Sequence, residues 1–139
     1  MRFFILYIVI FSLYLFADIA LIKTKKGDVR LKRNYKITPL KVGDTLREDD
    51  IVITGKDGSA GIMFKDGTRL SLGAKSYIVI EKYLFEPKNK KFAFDLNMTR
   101  GKALFESGEF GKKAPKAVKF KVPKGIIGID GTKFYVDIK

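Results

Sequence analysis

The chain has neither cysteine nor histidine among its 139 residues. The first absence removes disulfides, thiolate nucleophiles, sulfur-based zinc sites and any lipid-modified N-terminal cysteine. The second removes the commonest general base and the commonest transition-metal ligand. A hydrolase built on this chain would have to work with carboxylates, lysine, serine or tyrosine alone. Without disulfides, the fold must be held by burial. Acids are scarce too: 15 Asp and Glu stand against 28 Lys and Arg, for a net charge of +13. Long apolar runs occur in one place only, at the N-terminus.

There Met1 and Arg2 supply positive charge, Phe3 to Phe16 carry none, and Leu15-Phe16-Ala17 offers a small-residue exit. These are the parts of a cleavable secretory signal peptide, expected over residues 1–17 as an N-terminal signal helix. A membrane-spanning helix needs about 20 apolar residues, and Asp18 ends this run short of that. The alternative is an uncleaved segment that anchors the protein in the inner membrane, with Ile19 to Ile22 extending the run. Either way the body, residues 18–139, is expected as one exported, periplasmic domain.

Removing residues 1–17 takes away Arg2 alone among the charged residues, leaving a net charge of +12. Such an excess attracts anionic partners. Outside the cytoplasm these are phospholipid head groups, lipopolysaccharide phosphates, acidic glycans and acidic proteins, so association with the membrane surface is among the expectations. Nucleic acid is not expected, because the chain reads as exported and lysine dominates over the arginine forks that read phosphates and bases. A solvated surface that only maintains solubility is the competing explanation. Neither a cofactor nor a small-molecule substrate is expected.

Along the body, apolar and polar residues alternate. Val29 and Leu31, Leu70 and Leu72, Phe92, Phe94 and Leu96, Val118, Phe120 and Val122, and Phe134, Val136 and Ile138 each mark one face of a segment. A period of two is the signature of half-buried strands. Tyr77 to Ile80 is apolar at every position and is expected to be covered on both sides. Asp57-Gly58, Asp66-Gly67 and Asp130-Gly131 supply turn signals, and Pro87 marks a polar loop. No window shows sustained helical periodicity beyond a single turn near Leu46 to Asp49. The expected class is all-β: one domain of short antiparallel or solenoid-like strands with Asp-Gly turns.

No motif in the body carries chemistry strongly. Asp57, Gly58, Asp66 and Gly67 lack the six to eight oxygens of a calcium loop and read as structural turns. Gly128, Gly131 and Thr132 belong to a glycine-spaced stretch from Gly125 that lacks the ending of a phosphate loop; close backbone approach or a bulge is expected instead. Glu48-Asp49-Asp50 and Glu106 with Glu109 are the carboxylate groups that could serve acid–base chemistry, but nothing places either across a cleft, and Glu48 to Asp50 reads as a solvated turn. No catalytic or metal-binding residue is expected. The candidate anion-facing surface is Arg30, Lys32, Lys119, Lys121 and Lys124, whose alternation puts them on the outward faces of two strands. Lysines that protect sheet edges would show the same pattern.

Gly27-Asp28-Val29, Leu40-Lys41-Val42-Gly43-Asp44-Thr45-Leu46, and Asp50 to Gly55 resemble the start of a FecR-type domain. Gly58 to Thr68 continues the likeness, and Val122 to Phe134 is similar to the family's closing Gly-x-x-Gly-Thr-x-Phe element. The resemblance spans about Gly27 to Val136, and the order and spacing of its pieces are more specific than any one of them. It implies an all-β envelope domain that binds or signals without catalysing. In the iron-uptake regulators that name the family, the domain relays an outer-membrane transporter's state to a cytoplasmic sigma factor. Here only Met1 and Arg2 precede the apolar run, and Asp130 stands where a basic residue is common. The expectation is therefore a standalone binding or scaffold module engaging an envelope protein or an anionic envelope polymer. The alternative is a signalling component that works through a separately encoded membrane or sigma-factor partner.

Overall fold

The computed structural model describes residues 17–129 and 133–139. The expected signal helix therefore lies outside the described residues except for Ala17, and so do Asp130, Gly131 and Thr132. The strands are β1 Ala20–Lys26, β2 Val29–Arg33, β3 Lys36–Pro39, β4 Thr45–Leu46, β5 Ile51–Thr54 and β6 Ser59–Phe64. They continue with β7 Arg69–Leu72, β8 Tyr77–Glu86, β9 Lys91–Glu106, β10 Val118–Val122, β11 Gly125–Gly128 and β12 Lys133–Ile138. One short helix, α1 Glu109–Lys113, and 3-10 turns at Pro87–Asn89 and Pro115–Ala117 are the other elements.

The strands run in the order β3-β2-β5-β8-β9-β7-β6-β1-β4. Strand β9, 16 residues long, organises this sheet. Its first half pairs with β8 and, in parallel, with β10; its second half lies between β7 and β12. Between the halves Gly101 turns the backbone at φ +105°, where a Cβ would collide with Ser76. Only glycine fits both demands. The sheet thus curls on itself, and side chains from its two halves meet. Phe64 of β6 lies 4.8 Å from Phe94 of β9 and 5.3 Å from Tyr83 of β8, although β6 is hydrogen-bonded to neither strand.

Alternation put the right residues inside. Val29, Leu31, Leu70, Leu72, Phe94, Leu96, Val118, Phe120 and Val136 are buried in a single core. The all-β class holds, and antiparallel pairing dominates. A solenoid stacks successive coils through parallel ladders, and among the described residues only β9–β10 is parallel. Asp66-Gly67 makes the expected hairpin between adjacent strands β6 and β7, with Gly67 at φ +90°. Asp57-Gly58 makes a turn but no hairpin, because β5 and β6 are not neighbours and the chain crosses from one half of the sheet to the other. Tyr77 and Val79 are half-buried while Ile78 and Ile80 are fully enclosed, so β8 is covered completely on one face only. Gly125 and Gly128 have open space where a Cβ would stand, which removes the close backbone approach expected of them.

Helix α1 escaped sequence reasoning because its support comes from elsewhere in the chain. Phe110 is fully buried, with ring centroids 5.0–5.9 Å from Tyr83, Phe85, Phe92 and Phe94. The helix start has no local side-chain cap. Asp66 supplies one instead: its Oδ2 accepts the Phe110 N–H at 3.0 Å and its backbone carbonyl accepts the Glu109 N–H at 2.9 Å. A window of a few residues cannot show a cap that lies more than 40 positions upstream.

Candidate functional site

Register settles where the five expected cations lie. Lys32 aligns across the sheet with Ile51, Val79, Asn97 and Lys121 in turn. Four strand spacings, roughly 19 Å, therefore separate Lys32 from Lys121, and half-buried Ile51 and Val79 lie between them. Arg30 aligns likewise with Ile53 and then Tyr77. The candidate anion-facing surface is thus two separate groups. Lys119, Lys121 and Lys124 share the β10–β11 hairpin, and Arg30 and Lys32 stand on β2. Among the described residues two of the five are engaged: Arg30 lies 3.1 Å from Asp28, and Lys121 donates to Glu81 Oε1 at 2.8 Å. Its hydrogen bond to Lys121 holds the Glu81 carboxyl below its ordinary range against desolvation, with Asn97 assisting. The same bond raises the Lys121 ammonium.

A better-formed site lies at the β2–β3 hairpin. Asn34 at φ +52° and Tyr35 at φ +64° make its two-residue turn, which needs left-handed backbone at both positions. Asparagine tolerates this conformation; tyrosine in it is strained by about 1–2 kcal/mol. Tyr35 is 97% exposed, so its packing inside this chain does not account for that strain. Across from it runs the Arg47–Asp50 loop, where Asp49 adopts φ +71°. A groove of about 490 Å³ separates the two segments.

The groove has a fixed base. Asp50, expected in a solvated turn, is only 1% exposed. Arg33 grips it with both arms, Nε to Oδ1 at 2.8 Å and Nη2 to Oδ2 at 2.6 Å, and the Arg47 N–H donates to Oδ2 at 2.7 Å. The bond to Asp50 holds the Arg33 guanidinium above its ordinary range. Glu48 Oε2 accepts the Tyr83 N–H at 2.8 Å, and the Asp49 N–H donates to the Ile80 carbonyl at 2.6 Å, so the loop is pinned to β8. Lys32, Arg33 and Arg47 are balanced by Glu48, Asp49 and Asp50, which makes the groove polar without a net field.

Beside the groove, β3 is an open edge among the described residues. All four of its residues are exposed, and its ladder partner is β2. In a two-residue hairpin the flanking pair, Arg33 with Lys36, exchanges both hydrogen bonds, and the next pair, Lys32 with Ile37, exchanges none. The Ile37 N–H and carbonyl therefore face outward, with a side chain 53% exposed. Pro39 has no N–H to offer, so this edge provides a short donor–acceptor pair. Among the described residues no three carboxylates converge as a metal site. Alternation could flag Lys32, but the fork on Asp50 and the strained Tyr35 depend on strand order, which the sequence does not display.

No curated protein and no solved structure matches the chain. Its likeness to a FecR-type domain from Gly27 to Leu46 lies outside the residues matched by a family model. From Asp50 onward the match runs to the end: residues 50–139, well over half the chain, fit the family model described as FecR protein, and the chain belongs to that family.

Proposed function

We propose that this domain is a non-catalytic periplasmic binding or scaffold module, and that the groove and open edge at the β2–β3 hairpin receive an envelope protein. Membership of the FecR family points to a role in envelope signalling or regulation. The observation that carries the reading is Tyr35, a fully presented aromatic on strained backbone next to a base fixed by Arg33 and Asp50. Strain of this kind persists where a conformation is used, and exposed tyrosine beside arginine is the composition of interface anchors. The balanced charge of the groove suits a mixed protein surface better than a bare anion, which ranks an anionic polymer second at this position.

The test is capture from envelope extracts at low salt with the wild-type domain and with Tyr35→Ala. A partner held by the wild type and lost with the variant is expected. An empty wild-type capture, or one unchanged by the substitution, overturns the reading. Family membership also favours a second reading, in which the same surface relays a transport or stress state to a separately encoded membrane or sigma-factor partner. A sigma-factor or receptor gene beside this one would favour it, and an isolated gene would weaken it.

A further inference from the structure

We propose that the end of the molecule formed by the β8–β9 hairpin tip and the α1 segment is a docking surface for an anionic lipid bilayer. Two loops far apart in sequence meet there. Lys88, Lys90 and Lys91 come from the hairpin tip, and Lys112, Lys113 and Lys116 from α1 and the turn after it. All six are exposed. The only acids in these two segments are Glu86 and Glu109, and each already has a neighbour: Glu86 accepts from Asn89 Nδ2 at 3.1 Å, and Glu109 lies 3.7 Å from Lys112. Among the described residues the other five lysines take part in no ion pair. The remaining charge of this end is uncompensated.

The core holds these like charges together. Phe110 locks α1 against Phe85 and Phe92, at 5.1 and 5.9 Å, so the two lysine loops cannot drift apart. Lys90 itself sits in left-handed backbone at φ +52°. Between the loops opens a shallow depression of about 500 Å³, where Phe92, Ala114, Pro115 and Ala117 form an apolar floor ringed by Lys90, Lys113 and Lys116. Edge protection does not explain these lysines, because five of the six lie on turns or in the helix and not along a strand.

The chemistry selects a bilayer over other anions. Lysines are point charges that tolerate many geometries, and this end has no arginine fork of the kind that grips a single carboxylate or phosphate. An array of ammonium groups around a greasy floor matches head-group phosphates above the glycerol and acyl boundary. The proposal rests on the exported location in the reading above, and it concerns a different face from the Tyr35 groove.

The test is co-sedimentation of the purified protein with vesicles of phosphatidylcholine alone and with vesicles rich in phosphatidylglycerol. Binding is expected only to the second, and it should fade as salt shortens the range of charge interactions from about 10 Å to about 3 Å. Replacing Lys88, Lys90, Lys113 and Lys116 together with glutamine should weaken binding at least about tenfold. Replacing Lys23, Lys25, Lys26 and Lys56 with glutamine removes the same charge from another exposed region and should change it far less. Equal melting temperatures for the two variants would show that both are folded. Absent vesicle binding, equal binding to neutral lipid, equal loss in both variants, or binding to soluble polyglutamate in place of vesicles would each overturn the proposal. Any of these leaves the envelope-protein capture untouched, so the two readings fail separately.

Discussion

Tyr83 and Asp66 hold each other twice: the phenol donates to Asp66 Oδ1 at 2.7 Å, and the same phenolic oxygen accepts the Asp66 N–H at 3.0 Å. Burial pushes the Tyr83 hydroxyl far above its ordinary range, and Asp66 adds to the shift. Asp66 also receives the hydroxyl of Thr68 at 2.7 Å and the Phe110 N–H. One carboxylate thus joins the β6–β7 turn, β8 and the start of α1.

Tyr83→Phe removes the hydroxyl and leaves a buried N–H and part of a carboxylate without partners. It should cost about 1–3 kcal/mol, read as a lower denaturant midpoint with unchanged slope. Asp66→Ala should cost more than Tyr83→Phe, because it also deprives α1 of its side-chain cap, leaving the backbone carbonyl alone to receive the Glu109 N–H. A stability equal to wild type for either variant would contradict the assigned network.

Arg33 and Asp50 make a second test. Arg33→Ala leaves Asp50 buried with a backbone donor in place of a guanidinium, and loss of one partner from a buried pair typically costs about 3–5 kcal/mol. The lower end is expected here, since Arg33 itself is partly exposed and the Arg47 N–H remains. Arg33→Lys should recover little, because an ammonium lacks the planar fork that meets both carboxylate oxygens with parallel bonds. Urea denaturation of the two variants measures both effects.

Tyr35→Gly separates stability from recognition. Glycine adopts φ near +64° without strain, so the variant should be at least as stable as wild type by thermal melting. Partner capture should nevertheless fall, because the exposed ring is gone. A variant that is destabilised and still binds would assign Tyr35 to folding.

Glu81 gives a pH prediction with a definite sign. Lys121 lowers its folded-state pKa, so the pair adds stability above the ordinary glutamate range and loses it as pH falls through the depressed folded value. An NMR titration should find Glu81 protonating at lower pH than an unpaired glutamate. Lys121→Met should move that midpoint upward. No movement would mean that the 2.8 Å contact is not populated in solution.

The period-two pattern was legible because it reflects a local fact: in a strand, successive side chains point to opposite faces whatever the partner strands are. Val118 and Phe120 could therefore be placed inside from their own segment. Asp50 and Asp66 could not. Each looks like an ordinary turn acid, and only the arrival of Arg33 from 17 positions upstream, or Tyr83 from 17 downstream, makes it a buried anchor. The spacing of the cations was hidden for the same reason. Alternation fixes which face Lys32 and Lys121 occupy, but three intervening strands decide how far apart they stand.

A single ribbon that serves both leaves of the folded sheet also removes the plane along which the molecule could split. Pulling one leaf away would unzip β9 from the other, so partial opening gains little freedom for the bonds it breaks. Its partners arrive from distant parts of the chain, as when Arg69 meets Glu106, and such closures cost loop entropy before they are rewarded. The protein should therefore assemble slowly, on the order of milliseconds to seconds, and come apart all at once.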